Sequence, residues 1–442
     1  MGLFRRSTGA PPPVRMPLGL NVLLVLSAAG GFAVVFGLLL WLGLGRPSLP
    51  TSEQWTVKDS FDFVKIVLAV VGGIGGVVAL VVSYRKQRLG EAAEEREDAQ
   101  LFNETFNQAA EQLGSAEAPV RLAGMYTLER LGQNTPEQQQ TIANVLCAYL
   151  RMPYTPLVDD PAEEDREENE RRKQEREVRL TAQRILANNL RPKKGQEDRH
   201  WKDIHLDLTG ATLLDFDFSS CQVDTALFNG AQFSGDALFN EALFGGNARF
   251  DKARFGGNTW FGEARFNGDA WFREAKFGGN AWFREARFNG GAWFKIAKFN
   301  EDAEFGEVRF ARNAGFGMVQ FGGDARFREA RFNGGAWFGE AEFAGDAEFG
   351  EARFNGGAWF GGVRFNGDVS FVRSQVRLDV SEDVLSKRVW PRGYVVEELL
   401  SAEEERLVEE EWVSDREGAW GYLTPVESEE SDDFVIDSRE ER

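Results

Sequence analysis

Ala270-Trp271-Phe272-Arg273-Glu274-Ala275-Lys276-Phe277-Gly278-Gly279-Asn280 runs directly into Ala281-Trp282-Phe283-Arg284-Glu285-Ala286-Arg287-Phe288-Asn289-Gly290-Gly291, and the near-identity of these two stretches decides the fold. Phenylalanine returns in alternating steps of five and six from Phe228 to Phe371, so the period is eleven, repeated thirteen times. Such a period fits either a right-handed coiled coil, at about 3.67 residues per helical turn, or a stack of short strands. Almost every phenylalanine has an alanine two residues before it, as in Ala270-Trp271-Phe272 and Ala275-Lys276-Phe277. Residues two apart share a face on a strand and diverge on a helix. Between the phenylalanines stand Asn-Gly, Gly-Gly or Gly-Asp pairs, as at Asn267-Gly268-Asp269, which punctuate turns and break helices. The reading is a β-solenoid of short strands and tight corners.

Toward the N-terminus the step is a plain five: Leu206-Asp207-Leu208-Thr209-Gly210, Ala211-Thr212-Leu213-Leu214-Asp215, then Phe216-Asp217-Phe218, Cys221-Gln222-Val223 and Ala226-Leu227-Phe228. With a small residue two before a central Leu or Phe, residues 206–371 resemble the pentapeptide-repeat family. The resemblance implies an all-β, right-handed, quadrilateral β-helix whose central and small residues point inward. Cys221 then fills a small inward position and is no nucleophile. On four sides, alternating fives and sixes make 22 residues per coil and keep the extra residues at the same two opposite corners; on three sides they would wander. At a strand spacing of ~4.8 Å, about eight coils make a solenoid roughly 36–40 Å long.

Each coil buries about four phenylalanines, worth ~1.5–3 kcal/mol apiece, against ~1–2 kcal/mol of backbone entropy for every ordered residue. One coil cannot fold alone, so the array needs stacked neighbours and capped ends. The candidate caps are the helical segment before Trp201 and the stretch 372–413, where Val396, Leu399, Leu400, Leu407 and Val408 have near-helical spacing. Caps also prevent edge-to-edge aggregation.

Counting by 22 sorts the outward residues into columns. Arg265, Arg287, Arg309, Arg331 and Arg353 form one, and Glu263, Glu285, Glu307, Glu329 and Glu351, each two residues earlier, form another. Adjacent ladders of opposite sign neutralise one another and stiffen the rod, so a structural charge ladder is favoured over nucleic-acid binding. Trp260 and Trp282 fall on one side, with Trp271, Trp293, Trp337 and Trp359 on the opposite one. Aromatic area facing water marks contact with a partner, unless the rings only stack on one another and over corner glycines.

Before the solenoid, 18–44 and 66–82 are apolar runs that read as two transmembrane helices, a hairpin over 18–88. Arg5, Arg6 and Arg15 precede it and Arg85, Lys86 and Arg88 follow it, so the positive-inside rule puts both the N-terminus, 1–17, and the large C-terminal region in the cytoplasm. The expectation is a multi-pass protein of the inner membrane. A helical domain follows over 90–151, with stripes at Phe102, Phe106, Ala109 and Leu113, at Val120 to Leu131, and at Ile142, Val145, Leu146, Tyr149 and Leu150. Pro119 and the capping-box spelling Thr135-Pro136-Glu137-Gln138 mark two helix starts. A charged linker and helix fill 152–200, the solenoid 201–371, and an acidic tail expected to be disordered 414–442.

The formal charge of −19 is uneven: Val396 to the end carries 18 acidic and 4 basic residues, and 201–380 carries 25 and 20. His200 and His205 cannot build a metal cluster or a general-base triad, and Cys147 and Cys221 lie too far apart in sequence for a disulfide framework. No catalytic residue, metal or cofactor is expected, because the polar residues recur everywhere and converge nowhere. The expected function is a non-enzymatic, membrane-tethered scaffold that binds a protein partner through its tryptophans, with self-association as one form of that binding. The alternative comes from the family resemblance: a DNA mimic that binds gyrase or another topoisomerase. Against it, the basic residues from Gly245 to Asn300 outnumber the acidic by ten to five. No nucleic acid is expected as a partner.

Overall fold

The computed structural model describes residues 18–43, 45–46, 56–398 and 419–426. The chain forms two compact units, Met1–Asn103 and Glu104–Arg442. In the first lie α1, Leu18–Gly43, and the start of α2, Val57–Leu113. The expected transmembrane hairpin does not stand. Spanning takes about 20 consecutive apolar residues in one helix, and among the described residues no helix is long and apolar enough to cross a membrane. The run 66–82 is an interior stretch of a helix that continues through Arg85, Lys86 and Arg88 to Leu113, so nothing closes a hairpin at 88. With it falls the expected placement as a multi-pass protein of the inner membrane with both ends cytoplasmic.

In the second unit the end of α2 is joined by α3, Ala118–Asn134, α4, Gln139–Arg151, and α5, Arg166–Leu190. Pro119 opens α3 as its spelling suggests, but Thr135 makes no side-chain cap; Pro136–Gln138 form a 3-10 turn that leads into α4. The helices share one core of Met125, Leu128, Ile142, Leu146, Leu150, Val178, Ala182, Ile185 and Leu186, all at most 3% exposed. Arg179 is buried among them, 1% exposed, although 152–200 reads as a charged linker and helix. It donates to Leu150 O at 3.0 Å and Met152 O at 2.6 Å and pairs with Glu175 at 2.9 Å, so its charge is satisfied by the carbonyls that end α4.

From Leu206 the chain winds into a β-solenoid of about eight turns with four strands per turn. The first face runs from Leu206–Asp207 through Ala226–Leu227 to Ala358–Trp359, and the second carries Arg254–Phe255, Lys276–Phe277 and on to Arg364–Phe365. The third carries Thr259–Trp260 to Val369–Ser370, and the fourth Gln222–Val223 to Gln375–Arg377. Strand Gln232–Leu238 turns a corner and joins the second and third faces into one 14-stranded sheet. Pairing is parallel throughout the solenoid. Its offset is 20 residues at Leu206↔Ala226, 21 at Gln222↔Leu243 and 22 from Ala226↔Ala248 onward, which is the sequence change from fives to alternating fives and sixes.

From Phe228 to Phe360 no core phenylalanine is more than 3% exposed. Rings one coil apart stack, as Phe272 on Phe294 at 4.7 Å and 2°, and rings across the core meet edge to face, as Phe272 with Phe283 at 5.7 Å and 89°. Each such contact adds ~0.5–1.5 kcal/mol beyond burial itself.

Both ends are closed by hydrogen bonds that imitate another strand. Gln183 of α5 accepts the Leu214 N–H at 2.9 Å and donates to Leu214 O at 2.7 Å. Gln140 of α4 does the same for His205, at 2.9 and 2.8 Å. Trp201, fully buried, rests on Gly132, where a Cβ would come within 2.6 Å of its Cζ2. At the other end Val389 bonds Ala358 O and the Phe360 N–H, both at 2.7 Å, just after the single turn α6, Glu382–Leu385. The antiparallel strands Trp420–Pro425 and Tyr394–Glu398 extend the fourth face. Val396 is therefore on a strand, where helical spacing had been expected; Leu399, Leu400, Leu407 and Val408 lie outside the described residues. The expected disordered tail contains one of these strands, held by Leu423, 2% exposed, and its N–H to Ser374 O at 3.1 Å. Its remainder, 414–418 and 427–442, lies outside the described residues.

Candidate interaction faces of the solenoid

The inward positions are alanine and phenylalanine, so whatever recognition the rod offers must come from residues pointing out. On the first face the outward column reads Leu227, Arg249, Trp271, Trp293, Gly315, Trp337 and Trp359, each in register with the next. On the third it reads Leu238, Trp260, Trp282, Glu304, Arg326, Glu348 and Ser370. The two tryptophan sets therefore occupy opposite faces.

Their geometries differ. Trp260 and Trp282 stack on each other, 4.8 Å between centroids and 17° between planes. The indoles of the first face lie instead against glycine. A Cβ at Gly291 would come within 2.7 Å of Trp293 Nε1 and one at Gly315 within 2.8 Å of its Cε3; Trp337 covers Gly335 in the same way, and Trp359 covers Gly361 and Gly339. Trp271 carries the Arg249 guanidinium 5.0 Å from its ring centroid. All six indoles are half-buried except Trp359, 40% exposed.

Arg265, Arg287, Arg309, Arg331 and Arg353 stack in register up the fourth face. Glu263, Glu285, Glu307, Glu329 and Glu351 stand at the tight corner before it, every one with φ between +57° and +59°. The ion pairs link corner residues of successive coils: Arg284 with Glu307 at 2.7 Å, Arg273 with Asp251 at 2.9 Å, Lys252 with Glu274 at 3.8 Å. The carboxylates bonded to Arg273 and Arg284 raise the pKa of both guanidiniums. Such exposed pairs contribute little each. Glu304 is an exception on the third face, where burial raises its carboxyl above the ordinary range although it accepts the Gly306 N–H at 3.0 Å. Burial likewise pushes the Cys147 and Cys221 thiols up to about 12, which suits fillers.

One further column escaped the sequence reading. At the wide corner between second and third faces, Asp236 Oδ1 accepts the Asn258 N–H at 3.0 Å, Asn258 that of Asn280 at 3.1 Å, and Asn280 that of Asp302 at 3.2 Å. The chain of acceptors continues through Asp302 and Asp324 to Asp346, which takes the Asp368 N–H at 2.9 Å. The inserted sixth residue is thus an Asn or Asp whose side chain bonds the next coil. The signal was present, since Asn or Asp recurs just before the inward small residue.

The family model for pentapeptide repeats, in nine copies, matches residues 218–265, 250–295, 297–342 and 334–375. No curated protein and no solved structure matches the chain.

Proposed function

We propose, with residues 218–375 being pentapeptide repeats, that the chain is a non-enzymatic scaffold that binds protein partners through its tryptophan columns. One observation carries this: indoles on two opposite faces are held by stacking or by glycine beds on a filled core, yet stay partly open to solvent. Rigid, half-exposed aromatic side chains lose little entropy on binding and dominate protein interfaces. The topoisomerase-binding alternative gains nothing from the outward columns, where the arginines of the fourth face stand beside the glutamates of the corner before it.

The test is affinity capture with wild type beside Trp260→Ala/Trp282→Ala and Trp293→Ala/Trp337→Ala chains of unchanged circular dichroism. Proteins that bind wild type and are lost from one variant support the reading. Identical capture by all three chains refutes it.

A further inference from the structure

The C-terminal end of the solenoid is closed unequally. Val389 covers the first face and Trp420–Pro425 the fourth, but among the described residues no strand lies beyond Arg364–Phe365 of the second face or Val369–Ser370 of the third. The N–H groups of Val369, Phe371 and Arg373 have no acceptor there, whereas one coil below the Ala347 N–H bonds Asp368 O and the Phe349 N–H bonds Ser370 O. Phe365 and Val369 are half-buried, although Phe343 and Ala347, one coil before them, are at most 1% exposed. A cleft of about 410 Å³ runs along this edge, between Val369–Arg373 on one side and Tyr394, Tyr422 and Thr424 on the other. The Thr424 hydroxyl is buried in its wall without a hydrogen-bond partner.

We propose that Asp433-Phe434-Val435-Ile436, in the acidic tail of this same chain, lies in the cleft as one more parallel rung of the third face. Its spelling is that of the rung below. Asp368-Val369-Ser370-Phe371 sets an aspartate, an inward apolar residue, an outward residue and a second inward apolar residue in order, and Asp433-Phe434-Val435-Ile436 repeats that order. Phe434, Val435 and Ile436 are also the only apolar residues in 427–442. In the register of the coils below, the Val369 N–H meets Asp433 O and the Phe371 N–H meets Val435 O. The ladder of acceptors at the wide corner gains a further member. Asp346 takes the Asp368 N–H at 2.9 Å, and the Asp368 carboxylate, which accepts from no group among the described residues, takes that of Asp433.

Size, reach and charge agree with this occupant. Phenylalanine at a position that is alanine in mid-rod is how the same column already begins: Phe216, 2% exposed, pairs with Ala237, and the column ends on Val369. An end rung has room for a ring because no coil lies beyond it. Tyr394, whose hydroxyl donates to Val369 O at 3.0 Å, forms the wall against which Ile436 packs. The Val426 N–H is tied to Gly393 O at 2.8 Å and Pro425 lines the cleft, so the tail starts beside the edge. Residues 427–432 span up to ~20 Å, enough to cross a face of ~13 Å and turn back along it. The register leaves Asp437 beside Arg373, which has no ion pair among the described residues. A segment tethered at Val426 meets the edge at an effective concentration that a free peptide does not reach, and covering the edge removes a template for pairing with other chains.

Hydrogen exchange of full-length chains, with folding checked by circular dichroism, tests this. In wild type the amides of Val369 and Phe371 should be protected to the same level over a concentration series. In Phe434→Asp/Ile436→Asp they should exchange about tenfold faster or more, while those of Ala347 and Phe349, one coil below, stay slow. Ser370→Cys with Val435→Cys places two outward thiols on neighbouring rungs, ~4.8 Å apart and within disulfide reach. That pair should form an intramolecular disulfide under mild oxidation, and Ser370→Cys with Glu440→Cys should not. The native thiols, Cys147 and Cys221, are buried and do not compete.

Fast exchange at Val369 and Phe371 in wild type, protection untouched by the two aspartates, or equal cross-linking by the two tail cysteines overturns the proposal. So does protection that rises with concentration, or a disulfide between two chains, because either puts a second copy on the edge. The tryptophan faces take no part in this, so the scaffold reading falls only if capture of other proteins ignores the tryptophans.

Discussion

Ile296 and the glutamates at the tight corners hold backbone angles that the sequence argument assigned to glycine. The positive φ values fall every eleven residues on Glu241, Lys252, Glu263, Glu274 and so on, whereas glycines of the wide corners, such as Gly268 and Gly290, are absent from that set. Those glycines are required for a different reason, because a Cβ on either would collide with the carbonyl of the glycine one coil below. A left-handed β-branched residue costs ~1–2 kcal/mol, partly offset by the greater unfolded-state freedom of glycine. Ile296→Gly should therefore raise stability by about 1 kcal/mol in denaturant titration. Gly268→Ala should lower it by roughly 2 kcal/mol, through overpacking. Glu304 adds a pH signature. Its raised carboxyl means the folded state takes up a proton more readily than the unfolded chain, so wild type gains stability as pH falls toward the ordinary value of 4.5. Glu304→Gln keeps the acceptor for Gly306. It should be the more stable chain at pH 7, with its advantage fading as pH falls toward 4.5, read from denaturation midpoints at both values.

At the scale of elements the caps decide whether the end coils survive. Gln183→Ala leaves the Leu214 N–H and carbonyl unpaired beneath α5, a loss of about 2–4 kcal/mol for two buried groups. Cys221 reports it, because its Sγ lies 3.5 Å from Ala187 O under the same helix. Maleimide labelling at pH 8 should be negligible in wild type and measurable in Gln183→Ala; equal rates would mean the glutamine closes nothing. This joint was not legible in the sequence. The solenoid could be read because a repeat states its own geometry: the spacing of phenylalanines yields the coil, and the coil assigns Trp271 and Trp282 to opposite faces. Gln183 and Gln140 carry no such signature, since a glutamine that imitates a strand looks like any other polar residue on a helix until its partner is known. The expected membrane hairpin fails on the helices themselves: among the described residues none is long and apolar enough to cross a membrane, and α2 runs on past 88. At Val396 near-helical spacing was outweighed by the open edge of the fourth face, where pairing with Trp420–Pro425 satisfies the backbone.

As a whole the solenoid is close to one-dimensional: each coil touches only its neighbours, and its stability is a sum of coils and of contacts between them. Phe283→Ala, mid-stack and fully buried, should cost ~3–5 kcal/mol. The loss should appear in hydrogen exchange as faster opening of the coils around 261–305, with the helix-capped first coil least affected; uniform acceleration along the rod would argue for a single cooperative block. The constant offset of 22 residues also makes the coil a unit of growth. Insertion or loss of one whole coil during gene copying would leave every register, both caps and all four faces intact, and would move the two ends apart or together by one strand spacing, ~4.8 Å. A slip of eleven residues, half that unit, would keep the phenylalanine core but turn everything downstream through half a revolution, bringing Trp337 onto the face of Trp282. The repeat is in that sense a ruler that can be lengthened without being redesigned, provided it changes by whole turns.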